Sequence, residues 1–531
     1  MNDTPRFGRA AVAAPHSLAA EAGRDILAEG GNAIEAMIAM AAVIAVAYPH
    51  MNGIGGDGFW LIHSPDGKLR AIEACGYAGS KATIKAYRDK GHGSIPVRGP
   101  DAALTLPGAI GGWMRALELS AASGGRIPLR HLLERAEKHA RAGTPVSPSE
   151  ARYPVKEWEA LTAAPNFRSH FLDKDGKVPA AGTLRRNEKL ADTFAHLAQA
   201  GLADFYKGDV ARELAADMDA TGTPITRADL EGYEARWREP LRARIPGASL
   251  YNAPPPTQGL ASLLLHGVFA KLGVGEAESF AHQHGLVEAS KRAYAIRDRV
   301  ITDFDRMKAD ASAYLTEETF AREAAAIAGD RAAAWPFASA DGDTIWMGAI
   351  DGDGLAVSFI QSLFWDYGSG VVLPKTGILL QNRGTAFSLD EKALNPLEPG
   401  RRPFHTLNVP MAVFDDGRVM PYGSMGGDGQ PQFQAQIFFR AAVYGQPLAE
   451  AIDRPRFLFG RTWGNPSATL KLENRFDPDV VRQLERAGHQ IELIDQPYSD
   501  TFGHAGMLVR HPSGTVEAVH DPRADGGALG I

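Results

Sequence analysis

Residue 344 divides this chain into two textures that any fold must reconcile. Before it, apolar residues recur at three- and four-residue spacings; after it, short alternating or apolar runs are bounded by Asp-Gly turns. His16 to Glu29 predicts a helix closing on Gly30-Gly31, and Asn32 caps an Ala-rich helix, Ala33 to Ala47, that ends before Pro49. Ala, Met and Ile on all sides of that second helix predict burial between layers. Leu129 to Ala142, Leu190 to Ala215 and Gly259 to Leu272 also read as helical. Leu355 to Ile360, Met411 to Phe414, Val419 to Tyr422 and Met507 to Val509 read as strands, with an Ala-rich connector, Ala324 to Ala340, between the two portions. Helices packed outside a pair of sheets, an α+β arrangement with a helix-rich N-terminal portion, satisfy both textures.

With 44% hydrophobic and 22% charged residues among 531, the chain can bury a large core and is not disordered. Its net charge of -7, with no basic block, argues against a nucleic-acid partner. The single cysteine, Cys75, can form neither an intramolecular disulfide nor a cysteine-rich metal site, and suits a reducing compartment. No uninterrupted apolar leader lies in Met1 to Ala20, and Ala36 to Tyr48 is too short to span a bilayer. A soluble, cytoplasmic protein with no membrane partner is the expectation.

Several motifs carry less than their letters promise. Gly53-Ile54-Gly55-Gly56-Asp57-Gly58 matches a dinucleotide fingerprint, but a helix precedes it and the apolar strand Phe59 to Ile62 follows, the reverse of what that site needs. A glycine turn allowing close backbone approach is the better reading. His282 and His284 point to different faces of one helix, which disfavours a metal site. Asp351-Gly352-Asp353-Gly354 lacks a calcium loop's closing Glu and reads as a hairpin turn. No G-x-S-x-G, H-E-x-x-H or P-loop pattern occurs. Gly423-Ser424-Met425-Gly426-Gly427-Asp428-Gly429 follows a strand and precedes an amphipathic helix, Gln432 to Tyr444, so its N–H groups can face developing negative charge.

Asp341-Gly342-Asp343-Thr344 ends the connector and opens the strand-like run Ile345 to Ile350. Alone, such a tetrapeptide reads as a turn. Cleavage between Asp343 and Thr344 would leave Thr344 with a hydroxyl nucleophile and a free amine on one residue.

Together these segments resemble the gamma-glutamyltransferase family of N-terminal nucleophile hydrolases nearly end to end. The likeness rests on Ser17 to Gly23 with Gly30 to Ala33, Pro49-His50 with Gly53 to Gly56, Pro107-Gly108, Pro254 to Pro256, Gly368 to Val372, Thr376 to Leu380, and Asp521 to Gly526. The resemblance implies a four-layer αββα sandwich made as a precursor that cuts itself before Thr344. Residues 1–343 would be the large subunit and 344–531 the small, intertwined as a heterodimer, with pairing of heterodimers open. It implies Thr344 as nucleophile, Ser362 as the hydroxyl that orients it, Gly426 and Gly427 as oxyanion donors, and no metal or cofactor.

Substrate recognition departs from the family. A glutamate-reading Arg falls on Cys75, an acid that holds the substrate amine falls in Thr385-Ala386, and an Asn falls on Phe364. Arg383 sits beside the missing acid in Gln381-Asn382-Arg383-Gly384, and His405-Thr406 replaces the family's paired serines, so Asn382, Arg383, His405 and Thr406 are the candidate substrate-binding residues. Loss of an ammonium reader and gain of donors favours a small carboxylate-bearing amide without an amine, provided Arg383 faces inward; an exposed Arg383 is equally compatible with the sequence. A γ-glutamyl enzyme with a relocated reader, an acylase for a larger amide, and an uncleaved binding protein remain open alternatives.

Overall fold

A computed structural model of the intact chain describes residues 3–153, 155, 157–335, 343–460 and 468–531. Asp341, Gly342 and the end of the Ala-rich connector lie outside the described residues, as does the side chain of Asp343.

Two antiparallel seven-stranded sheets form the centre. One runs Gly527–Gly530, Ala11–Ala14, Asp343–Ile350, Ala356–Phe364, Asp57–His63, Leu69–Ala74, Arg236–Arg238. The other runs Arg6–Phe7, Val516–His520, Ala505–Arg510, Val419–Ser424, Met411–Phe414, Ala248–Asn252, Leu241–Ile245. Both sheets therefore take strands from each side of residue 343. This corrects the reading of helices first and strands later: the first 252 residues supply half of the central strands, several of them too short or too irregular in pattern to stand out against their helical neighbours. Phe59, Leu61, Trp346, Ile350 and Ile360 of the first sheet meet Met411, Val419, Leu508, Val516 and Ala518 of the second in one apolar cluster. Alternation along the strands sends the other residues outward, Trp60, Ile62, Ile345 and Met347 against one set of helices, and Met420, Tyr422 and Met507 against another.

The Ala-rich helix Ala33–Ala47 is buried along its whole length, as its composition predicts. Asn32 accepts from the Ile34 and Glu35 N–H groups and Glu35 accepts from the Asn32 N–H at 2.8 Å, a reciprocal cap. Asp351, in the expected hairpin turn, accepts from Asp353 and Leu355 N–H with one oxygen and from Ala33 N–H at 3.0 Å with the other. That contact fixes the Asp343–Phe364 hairpin to the start of the buried helix.

Two helical readings need revision. Leu190 to Ala215 is not continuous; it divides into Glu188–Ala200, Asp204–Lys207 and Asp209–Thr221, because Gly201 and Gly208 release the chain between turns. Gln432 to Tyr444 is not amphipathic: the α-helix is Gln430–Phe438, followed by a π turn, Phe439–Val443, and its glutamines are buried. Gln432 and Gln436 each donate to and accept from the backbone of Phe459 and Phe457, so their amides complete a strand edge instead of meeting water. Among the described residues no helix is long and apolar enough to cross a membrane.

Candidate active site

Thr344 is buried at the start of its strand and donates its hydroxyl hydrogen to Ser362 Oγ at 3.2 Å. Ser362 Oγ also accepts from the Phe364 N–H at 2.8 Å. Ser362 is the ladder partner of Asp57, and the Thr344 hydroxyl reaches Ser362 from the irregularity between Asp343 and Ile345 on the strand at its other side, so three adjacent strands bring Thr344, Ser362 and Asp57 together. The glycine turn before Asp57 makes this possible: a Cβ on Gly56 would lie 2.0 Å from the Ser362 carbonyl oxygen and one on Gly55 equally close to that of Leu379. The fingerprint-like run is thus a close-approach turn, as its order of elements predicts.

Beyond Ser362 the pairing with the Asp57–His63 strand ends. Phe364 adopts a φ of 82°, a left-handed conformation rare for an aromatic residue, and Asn382 holds the departing chain. The Asn382 N–H donates to Leu363 O, its side-chain oxygen accepts from Trp365 N–H at 3.1 Å, and its amide donates to Val97 O at 2.9 Å. Asn382 therefore positions the loop, its side chain being taken up by backbone partners.

The next residue settles the direction the sequence left open. Arg383 is only 2% exposed, its guanidinium 3.6 Å from the Phe364 ring centroid, and Nη1 donates to Thr406 Oγ1 at 3.2 Å. Its Nε and Nη2 have no hydrogen-bond partner among the described residues. Burial pulls its pKa down to about 9, opposed by the charges of Asp57 and Asp428, so it stays a cation at neutral pH. Gln258 donates to the carbonyls of Thr406 and Gly427, the latter at 2.8 Å, linking the cation to the glycine loop. Gln258 is itself oriented by Arg297, which pairs with Asp428 at 2.7 Å.

His405 completes the wall. Its ring packs edge-on to Phe59 and its Nε2 lies 3.5 Å from Asp57 Oδ2, yet neither ring nitrogen makes a hydrogen bond among the described residues. Burial, reinforced by Arg383 and Arg402, holds its pKa well below the usual value, so it is neutral. Burial pushes Asp57 up to about 7, against hydrogen bonds from Gly76 and Gln381 and the charge of Arg383. Cys75 is buried with its thiol pushed up by desolvation.

Gly426 and Gly427 have φ of 120° and 52° between the Val419–Ser424 strand and the Gln430–Phe438 helix. Backbone of this kind offers successive N–H groups to one side. Trp346, two residues after Thr344, fixes the facing strand: a Cβ on Gly423 would fall 2.2 Å from its ring.

Thr344, Ser362, Arg383, Thr406 and Gly427 are thus joined by contacts, His405 borders them, and Asn382 supports them. Sequence reasoning missed Asp57, Gln258 and the Arg297–Asp428 pair. The one available signal was a charged residue inside a glycine turn.

One group elsewhere has metal-like spacing: His284, Glu288 and His489, with one ligand atom each within 4.8 Å of the others. Here the two imidazoles face each other at 2.9 Å, His284 Nε2 meets Ala328 O at 2.7 Å, and Lys291 pairs with Glu288. Glu288 also accepts from Ala333 N–H, so the group holds the chain segment leading toward Thr344. His282 points elsewhere, accepting from Glu278 N–H.

Comparison with known proteins agrees with this geometry. The family model described as gamma-glutamyltranspeptidase matches residues 19–531. An oxamate amidohydrolase proenzyme of Klebsiella pneumoniae is 49% identical, covering 97% of each chain, and a glutathione hydrolase proenzyme of Escherichia coli is 29% identical over 97% of this chain and 90% of its own. The crystal structure of a cephalosporin acylase from Bacillus halodurans superposes with a TM-score of 0.87 at 31% identity, covering 100% of this chain and 97% of that one. The chain belongs to the gamma-glutamyltranspeptidase family of N-terminal nucleophile hydrolases and, like the relatives it matches, is an amide-bond hydrolase made as a proenzyme.

Proposed function

We propose that the chain cuts itself between Asp343 and Thr344 and then hydrolyses a small carboxylate-bearing amide, oxamate, to oxalate and ammonia. The carrying observation is the buried Arg383, which keeps two donors unpartnered among the described residues and packs on Phe364, in the strand that carries Ser362. A buried cation of this kind calls for an anionic ligand. The 49% identity to an oxamate amidohydrolase proenzyme supports the same substrate. The stacking of helices, two sheets and helices goes with this reading as the four-layer αββα sandwich, and residues 1–343 and 344–531 as the two subunits of a heterodimer.

In maturation the Thr344 hydroxyl attacks the Asp343 carbonyl, and the C–N bond between the two residues breaks to leave an ester and a free Thr344 amine. Water then hydrolyses the ester to release the Thr344 hydroxyl and the Asp343 carboxylate. That amine, with a reference pKa of about 7.7 to 8.0, accepts the hydroxyl proton near neutral pH. Thr344 Oγ then attacks the substrate carbonyl while Ser362 orients it and the Gly426 and Gly427 N–H groups stabilise the oxyanion. The amine returns the proton to the leaving nitrogen, ammonia departs, and water cleaves the acyl-enzyme to release oxalate.

The test is twofold. Intact mass and N-terminal sequencing should find two fragments, the smaller beginning at Thr344. Ammonia release should be faster from oxamate than aniline release from a γ-glutamyl anilide; equal or faster turnover of the anilide would overturn the substrate assignment.

A further inference from the structure

We propose that Asp57 is the residue that tells substrate amide from product acid, an inference that rests on the oxamate reading. Its Oδ1 is held by the Gly76 N–H at 2.9 Å and the Gln381 amide at 3.0 Å, which fixes the carboxylate's orientation. The other oxygen, Oδ2, is buried and makes no hydrogen bond among the described residues; His405 Nε2, at 3.5 Å, is close but equally unbonded. Asp57 stands opposite Ser362 on the neighbouring strand, and Ser362 takes the Thr344 hydroxyl. With strands about 4.8 Å apart, the three residues span roughly 10 Å, within reach of one small ligand.

Arg383 and Asp57 lie near enough for their charges to act on each other, so a ligand held here meets donors on Arg383 and an acceptor on Asp57 that are unmatched among the described residues. A molecule carrying a carboxylate and a primary carboxamide on adjacent carbons answers both. Its carboxylate takes the Arg383 donors, and its amide N–H faces Asp57 Oδ2. Hydrolysis replaces that N–H by a carboxylate oxygen, which confronts Asp57 acceptor to acceptor when Asp57 is ionised, above its value of about 7. The same residue holds the amide and repels the diacid, and so limits inhibition by product. A purely apolar wall would not distinguish the two molecules, which have nearly the same shape.

Asp57→Asn tests this directly. The Gly76 and Gln381 donors keep the Asn oxygen at the Oδ1 position, so the Asn Nδ2 presents a donor where Oδ2 presented an acceptor. In the self-processed variant, KM for oxamate is expected to rise about tenfold and the inhibition constant of oxalate to fall about tenfold, the size of one buried hydrogen-bond mismatch. These opposite movements separate recognition from a structural defect, which would weaken both ligands. Parallel changes, or none, overturn the proposal. If Asp57→Asn does not fold or process, Asp57→Ser, which also removes the negative charge, is measured for the same two constants. If the wild-type enzyme releases no ammonia from oxamate, the substrate reading fails by itself. Calorimetric titration of wild type and variant with oxalate then decides the role of Asp57: tighter binding by the variant supports it, equal or weaker binding overturns it.

Discussion

The Arg383 guanidinium lies 3.6 Å from the centroid of the Phe364 ring, and Phe364 is the ladder partner of Asp343, the residue before Thr344. The aromatic face replaces a carboxylate partner, so the cation is held in place without being neutralised. Arg383→Gln should lower kcat/KM for oxamate by about 100-fold, the equivalent of ~3 kcal/mol for lost charge-assisted hydrogen bonds. Self-cleavage should persist, since Arg383 reads the substrate and not the Asp343–Thr344 bond. Arg383→Lys keeps the charge but not the fork, and should fall between the two. Steady-state ammonia release, with fragment masses as control, measures all three.

Thr344 and Ser362 separate under mutation. Thr344→Ala should leave a single species near 56.9 kDa with no activity, because both cleavage and hydrolysis use that hydroxyl. Ser362→Ala keeps the nucleophile but removes the oxygen that receives its hydrogen bond at 3.2 Å, so slower processing and a fall of about 10- to 100-fold in kcat with little change in KM are expected. Time-resolved mass measurement of the precursor reads the first effect and saturation kinetics the second.

Gly56 and Gly53 form a matched pair of controls. An added Cβ at Gly56 would lie 2.0 Å from the Ser362 carbonyl oxygen, whereas at Gly53 the nearest atom is a Leu363 methyl at 3.7 Å. Gly56→Ala must displace Ser362, and should cost about 1 to 3 kcal/mol of stability and impair self-cleavage. Gly53→Ala should do neither. Thermal melting and processing kinetics of the two variants decide it.

The sequence disclosed elements whose signals are local. Asn32 with Glu35 writes a cap, alanine on all sides of Ala33–Ala47 writes burial, and Met411–Phe414 writes a strand. It pointed to Thr344, Ser362 and the glycine pair as candidates only by position along a familiar order of segments, and the structure brings Thr344 and Ser362 into hydrogen-bond contact. What it hid depends on partners far apart in the chain. Asp57 acquires its role from Ser362, 305 residues later, through strand register, and Gln258 acquires its role from Thr406 and Gly427. Buried glutamines on Gln430–Phe438 look like a solvated face because polarity alone does not reveal a strand edge waiting to be completed. The orientation of Arg383 is likewise a tertiary fact, set by how Asn382 straps the loop.

The Asp521 to Gly526 segment illustrates a motif whose value is structural. Asp521, Arg456, Arg523 and Glu473 are all fully buried; Asp521 pairs with both arginines, and Arg523 reaches Glu473. Asp521 Oδ2 also accepts from Ala505 N–H at 2.7 Å. Despite the cost of burial, the two arginines hold the Asp521 carboxyl well below the usual carboxylate range. A depressed folded-state pKa means that the carboxylate's stabilisation is fully present above the unfolded value, about 3.9, and is lost as pH falls through the folded one. Asp521→Asn strands buried positive charge and should cost about 3 to 5 kcal/mol at neutral pH. Its melting deficit relative to wild type should be constant from about pH 6 to 8 and shrink below about pH 4, as the wild type approaches its own protonation. A deficit that instead grew on acidification would place the dominant acid-sensitive group elsewhere.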